Sequence, residues 1–177
     1  MDIQEFCTTF TGKWFSQRTT HDLKQKTSFL AKSDLWVDAV EVTDPAIQSL
    51  CDRYGVGTDQ VMIALKLRWE AIIAASPKKE LGTGAIALLK SDDPNQGPVL
   101  SDTASNGMDH PAPGTYTLGD DEALTFVLPM PNGDITERMW YASPNLRMRT
   151  STVTEDGEPL LASFCSEIRM GGAPKAA

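Results

Sequence analysis

Three observations predict a mainly β protein, an antiparallel barrel or a sandwich with two short helices. Only two segments, near residues 3–10 and 45–54, carry apolar residues at helical spacing. Nine other segments alternate, or cluster β-branched and aromatic residues, over strand lengths. Groups of turn residues ("PKKE", "DDPNQGP", "PNGD", "SPN", "EDGEP") part the later segments, and such meander spacing disfavours a parallel α/β sheet. At 177 residues the chain is long enough to bury one real core. The expected organisation is a single domain over residues 1–170 followed by a frayed tail, "GGAPKAA", at 171–177.

In chain order, Ile3, Phe6, Cys7 and Phe10 lie at i, i+3, i+4 and i+7, and Asp2 with Glu5 has capping-box spacing, so a short helix opens the chain. Gly12 ends it. "KWFSQRTTHDL" then alternates, putting Trp14, Ser16, Arg18 and Thr20 on one face of a strand, and "SDLWVDAVEV" reads as the next. At Asp44 the pattern turns helical again. Asp44 caps, Pro45 suits the first helical position, Ile47, Leu50, Cys51 and Tyr54 share a face, and Gly55 stops the helix. From there the chain reads as strands: "VMIALKLRWEA", "GTGAIALLK", "GTYTLG", "ALTFVLPM", "DITERMWYA", "NLRMRTSTV" and "LLASFCSEIRM". The stretch from Ser91 to Gly114, rich in Pro, Gly, Asp and Ser, is expected to be a long irregular loop near a barrel mouth.

Composition removes several function classes. A net charge of −8 repels a nucleic-acid backbone unless a basic stripe offsets it. No apolar run approaches a membrane span, and "MDIQEF" is acidic and amphipathic rather than signal-like, so a soluble protein is expected. Three cysteines, Cys7, Cys51 and Cys165, make no disulfide framework and suit a reducing compartment. The two histidines, His21 and His110, lack ligand spacing, so no metal site is expected. "GVGTD" and "GTG" lack the lysine of a phosphate loop, and no G-x-S-x-G elbow occurs. Cys165 could act as a nucleophile with a distant histidine, but all three thiols are read as packing residues.

What remains is a set of cations, carboxylates and indoles on strands. In "NLRMRTS" the two-residue period puts Arg147, Arg149 and Ser151 on one face and Leu146, Met148 and Thr150 on the other. The preceding strand carries Glu137 and Trp140, "LRWEA" carries Arg68, Trp69 and Glu70, and the first strand carries Trp14 and Arg18. Two readings follow. Either the arginines are solvated outer residues paired with glutamates and the indoles are core, or the lumen presents guanidinium forks, a carboxylate and flat aromatic walls to one ligand. The second arrangement suits a flat, conjugated ligand, polybasic at its centre and acidic at its edges. A linear tetrapyrrole has that description.

The blocks "GKWFSQRTTH" (12–21), "LRWE" (67–70), "GDDEALTF" (119–126), "ERMWYASPNLRMRTSTV" (137–153) and "ASFCSEIRM" (162–170) together resemble the S-type phycobiliprotein lyases, in order and over nearly the whole chain. The resemblance implies a calycin, lipocalin-like barrel with an N-terminal helix. It implies that a free bilin, phycocyanobilin or phycoerythrobilin, is a transferred substrate rather than a resident cofactor, delivered to a cysteine of an apo-phycobiliprotein α or β subunit. The site implied by matching motif positions comprises Arg18, Trp69, Glu137, Trp140, Arg147, Arg149 and Ser151, with Glu137 and Arg149 closest to the chemistry. The resemblance further implies a cyanobacterial cytoplasm or an algal plastid stroma, and it leaves open a monomer, a homodimer or a heterodimer with a sister subunit. This chain departs from the family pattern at "AIIAASPKK", where Ala74 and Ala75 replace a second aromatic, and in "SDTASNGMDHPAPG" (101–114), which lacks the usual basic and aromatic residues.

Overall fold

In a computed structural model that describes residues 1–74, 78–102 and 112–171, ten antiparallel strands close into one barrel. The strands are β1 (Gly12–Asp22), β2 (Thr27–Ala39), β3 (Val61–Ile73), β4 (Lys79–Leu89), β5 (Gln96–Ser101), β6 (Gly114–Leu118), β7 (Leu124–Met130), β8 (Gly133–Ser143), β9 (Leu146–Glu155) and β10 (Glu158–Met170). Each pairs with its neighbours in sequence, and β1 pairs with β10 to close the ring, Lys13 opposite Met170 and Asp22 opposite Leu161. Closure leaves no edge strand among the described residues.

Two helices finish the barrel in different ways. The first, α1 (Ile3–Phe10), starts where the Asp2 carboxylate accepts the Glu5 N–H at 2.8 Å, and it turns Ile3, Phe6, Cys7 and Phe10 into the lumen beside Trp14, Leu35, Tyr116 and Leu124. It plugs one end. The second, α2 (Pro45–Tyr54), lies outside on β4 and β5. Asp44 accepts from Ala46 N–H at 2.9 Å, and Gly55 leaves the helix at φ 63°, the left-handed conformation that the sequence places there. Its Ile47, Leu50 and Cys51 bury against Ala64, Ala85 and Ala87, whose small side chains admit the helix closely.

The sequence misplaces three boundaries. The expected loop from Ser91 to Gly114 contains β5, hidden by Gly97 and Pro98; Pro98 is tolerated because the ladder to β4 begins only at Val99. Strand β2 starts at Thr27, and β4 starts at Lys79 within the expected "PKKE" turn. Residues 103–111 of that loop, Ala75, and the tail beyond 171 lie outside the described residues.

Candidate functional site

Barrel parity decides which side chains face inward. Register places Met139, Arg149, Cys165 and Arg18 in one row across β8, β9, β10 and β1, flanked by a row of Tyr141, Arg147, Glu167 and Ser16 and by a row of Glu137, Ser151, Ser163 and Thr20. The core membership of Met139 and the burial of Arg147 and Glu167 identify this face as the lumen. The two arginines of "NLRMRTS" therefore point inward, and the solvated-surface reading fails for them.

Glu167 is the hub. Its side chain is 0% exposed and Arg147 is 1% exposed. Arg147 donates from Nε to Glu167 Oε2 at 2.6 Å and brings Nη2 to the same oxygen at 2.5 Å, while Arg149 Nη2 donates to Oε1 at 3.0 Å. Burial by itself raises the Glu167 carboxyl, but Arg147 and Arg149, and at longer range Arg18, outweigh it and hold the group down at about 2. It is a carboxylate at any working pH. Arg149 also reaches Glu137 at 3.5 Å, and burial there is opposed by the fields of Glu167 and Glu137, which keep the guanidinium charged.

The guanidiniums outnumber these carboxylates. Arg18, Arg147 and Arg149 face Glu137 and Glu167, so this wall holds one more cation than anions, inside a chain whose net charge is −8. Among the described residues, Arg147 Nη1 and Arg149 Nε are buried N–H groups without any hydrogen-bond partner. An orphaned buried donor costs about 1–3 kcal/mol, more when charged. Stacking of the Arg147 guanidinium on Phe10 at 4.1 Å and Trp14 at 4.5 Å offsets part of that. The arrangement is built to receive acceptor oxygens.

Trp69 projects inward from β3, half-buried, and packs on the lumen cluster. Behind it, across the strand pair, is Gly82: a Cβ built there would overlap the six-membered ring of the indole. The ring therefore lies flat on the wall. Arg68 and Glu70, its neighbours in sequence, point outward, where Arg68 stacks on Trp36 and Glu70 pairs with Lys79 at 2.5 Å.

Trp140 does not join the site. It follows Glu137 by three residues, and in a strand an odd separation sends side chains to opposite faces. Trp140 borders an open cleft of about 230 Å³ on the outer wall, with Asp121, Ala123 and Arg138. The other six expected residues, Arg18, Trp69, Glu137, Arg147, Arg149 and Ser151, all face the lumen.

Sequence reasoning missed Glu167 and Cys165. The parity test that selected Arg147 and Arg149 in "NLRMRTS" selects Cys165, Glu167 and Arg169 in "CSEIRM". All three thiols are buried, but only Cys165 lies in the site, where Arg18 Nε donates to its sulfur at 3.2 Å and Arg149 Nη2 approaches within 3.9 Å. Arg169 belongs to the plug instead: it donates to the Thr9 and Thr11 carbonyls at the end of α1 and stacks on Trp14 at 4.1 Å. No cluster of His, Cys, Asp and Glu suited to a metal occurs among the described residues.

A closed up-and-down barrel with one plugged end and a charged, aromatic lumen defines a lipocalin-like protein. Within that class the chain belongs to the CpeS-like protein family, whose profile matches residues 2–170. It is 36% identical to a chromophore lyase CpcS/CpeS of Trichodesmium erythraeum, over 96% of this chain and 98% of the relative. A chromophore lyase CpcS/CpeS of Thermosynechococcus vestitus is 34% identical over 97% and 94% of the two chains. The solved structure of the S-type phycobiliprotein lyase CpeS from Guillardia theta superimposes with a TM-score of 0.85, covering 97% of this chain and 94% of that one at 24% identity, and so shares the fold.

Proposed function

We propose that this protein binds a free linear tetrapyrrole in the arginine-lined half of its lumen and delivers it to a cysteine thiol of an apo-phycobiliprotein subunit. The observation that carries this reading is the buried cation excess with its unpartnered guanidinium N–H groups. A bilin supplies what that wall lacks: propionates to accept from arginine forks, and a conjugated face to lie on Trp69. The names of the relatives support the same reading, since they are chromophore lyases, one of them a phycocyanobilin lyase subunit from Picosynechococcus.

Entry requires side-chain movement. The enclosed void beside Glu137, Phe126 and Ile86 is about 10 Å³, room for a single water. Access is from the end opposite α1, where the inward residues Ile135, Val153 and Leu161 are half-buried and Phe29 is 39% exposed. Arg18, held by one contact to sulfur, is the side chain freest to swing; Arg147 and Arg149, both ion-paired with Glu167, are the fixed points.

The reaction adds the acceptor thiol across the ethylidene double bond of ring A, forming a carbon–sulfur bond while the thiol proton passes to the tetrapyrrole. This chain needs no nucleophile of its own for that step. Its residues hold one bilin conformer and present the reactive carbon, so rate comes from positioning. Glu137, which makes one 3.5 Å ion pair with Arg149, faces the pyrrole N–H groups and favours the protonated, more electrophilic chromophore. Phycocyanobilin is the first substrate to test, in cytoplasm or stroma where phycobiliproteins assemble. The test mixes protein, bilin and apo-subunit and examines the product on a denaturing gel with zinc-enhanced fluorescence. A fluorescent subunit band that depends on this protein supports the reading. Bilin binding without the band makes the protein a carrier and removes the lyase step.

A further inference from the structure

The two inward indoles keep different company. Trp14 is fully buried and is stacked by Arg147 and Arg169. Trp69 is half-buried, and among the described residues no aromatic ring or guanidinium lies on it. What it lies against is the backbone of Gly82. A strand uses glycine for a positive φ, for a bulge, or where another group approaches closely. Gly82 is not among the glycines of positive φ, and the β3–β4 register runs unbroken from Ile63 opposite Leu88 to Ile72 opposite Lys79. Close approach is the remaining reason. Trp69 Cε2 and Cζ2 occupy the place of a Cβ at residue 82, and Nε1 would be 2.6 Å from it. On its other side Trp69 is registered with Leu35 of β2, a buried core residue, so the ring leans toward the strand that offers no side chain.

We propose that Gly82 is a positioning residue: its missing side chain fixes the plane of Trp69, and through it the plane and depth at which the conjugated rings of the bilin lie in the lumen. The ligand half rests on the proposed function; the indole half rests on geometry alone. An indole laid along the wall turns one broad face to the lumen, where a coplanar pair of pyrrole rings can stack in the offset arrangement that aromatic groups prefer. A single added carbon at residue 82 removes that platform. The indole is rigid and yields only by rotating about its side-chain torsions, which stands it away from the wall and into the space that the ligand needs. A glycine without such a role behaves in the opposite way. Outside the left-handed region, replacing it by alanine stabilises a fold by restricting the unfolded chain.

A double-mutant cycle of Gly82→Ala and Trp69→Leu tests it, the leucine removing the three ring atoms nearest the new Cβ. Without ligand, Gly82→Ala should change the near-ultraviolet circular dichroism, increase acrylamide quenching of tryptophan fluorescence and lower the melting temperature, at an unchanged far-ultraviolet spectrum. In the Trp69→Leu protein the same substitution should move neither indole signal and should leave the melting temperature level or higher. With phycocyanobilin, Gly82→Ala should weaken binding at least tenfold in an absorbance titration and shift the absorption maximum of the bound pigment. In the Trp69→Leu background it should alter affinity less than twofold. A Gly82→Ala protein with the parent's near-ultraviolet spectrum overturns the proposal. So does one whose indole signal moves while affinity and absorption maximum stay at the parent's values. If Gly82→Ala does not fold, recovery of folded protein in the double variant supports the proposal. Failure of both overturns it, since the glycine then serves the strand rather than the indole. A parent that binds no pigment refutes the proposed function and the ligand half together, while the near-ultraviolet comparison still decides the indole half.

Discussion

Two walls of one barrel solve the same packing problem with opposite chemistry. On β4 to β7 the inward positions carry Ile86, Leu88, Val99, Tyr116, Leu124 and Phe126, and the outer face of β4 and β5 is roofed by α2. On β9, β10 and β1 the inward positions carry Arg147, Arg149, Glu167 and Arg18, and the outside is apolar. The first wall is stabilised by area removed from water, the second by ion pairs that must first repay desolvation. The strands of the second wall have their usual pattern inverted. Under the proposed function, a wall of that kind is retained for the ligand it binds.

Removing one member of the charged wall is the hardest blow to this contrast. Glu167→Gln leaves the Arg147 and Arg149 guanidiniums facing a neutral amide and should cost about 3–5 kcal/mol by urea denaturation. On the apolar wall, Leu88→Ala should cost about 2–5 kcal/mol through its cavity, while the folded fraction keeps the parent's bilin affinity. If Leu88→Ala abolishes bilin binding in folded protein, the division of labour between the walls is wrong.

Acid distinguishes the walls without mutation. Because the folded-state value of Glu167 is held below its ordinary 4.5, at about 2, its contribution is complete above pH 4.5 and disappears as the pH falls through 2. That is about 3 kcal/mol, seen as a falling melting temperature in the parent and a flatter profile in Glu167→Gln. Leu88→Ala should retain the parent's slope.

Smaller effects sharpen the ligand side. Arg149→Lys keeps the charge and loses the planar fork, so phycocyanobilin should bind about 1.5–3 kcal/mol more weakly in an absorbance titration. Parent-like affinity would mean that only the charge matters there. Trp140→Ala, on the outer wall, should change that affinity by less than about 0.5 kcal/mol, whereas Trp69→Ala should weaken it.

Much of this was legible in the sequence, because a strand has a period of two. Parity alone puts Arg147, Arg149 and Ser151 together, and capping residues mark both helices at Asp2, Asp44 and Gly55. Trp140 was misread where motif proximity to Glu137 overrode parity. Glu167 was passed over because its partners lie 18 and 20 residues away on β9, and no local pattern reports a pairing across strands. Strand β5 was lost to Pro98, whose exclusion from the middle of a ladder holds only where ladder bonds exist on both sides.

The closure of β1 on β10 also sets an order of events. The charged wall is made from the first strand of the chain and its last two, with Trp14 registered opposite Arg169. As the chain leaves the ribosome, β2 to β7 can pair with neighbours as each emerges, but β1 keeps one side unpaired until the final strand arrives. Contacts of such sequence separation are slow to form. The arginine cluster is therefore the last part of the molecule to be assembled, and under the proposed function a truncated or nascent chain has no means of capturing a reactive pigment before the barrel is shut.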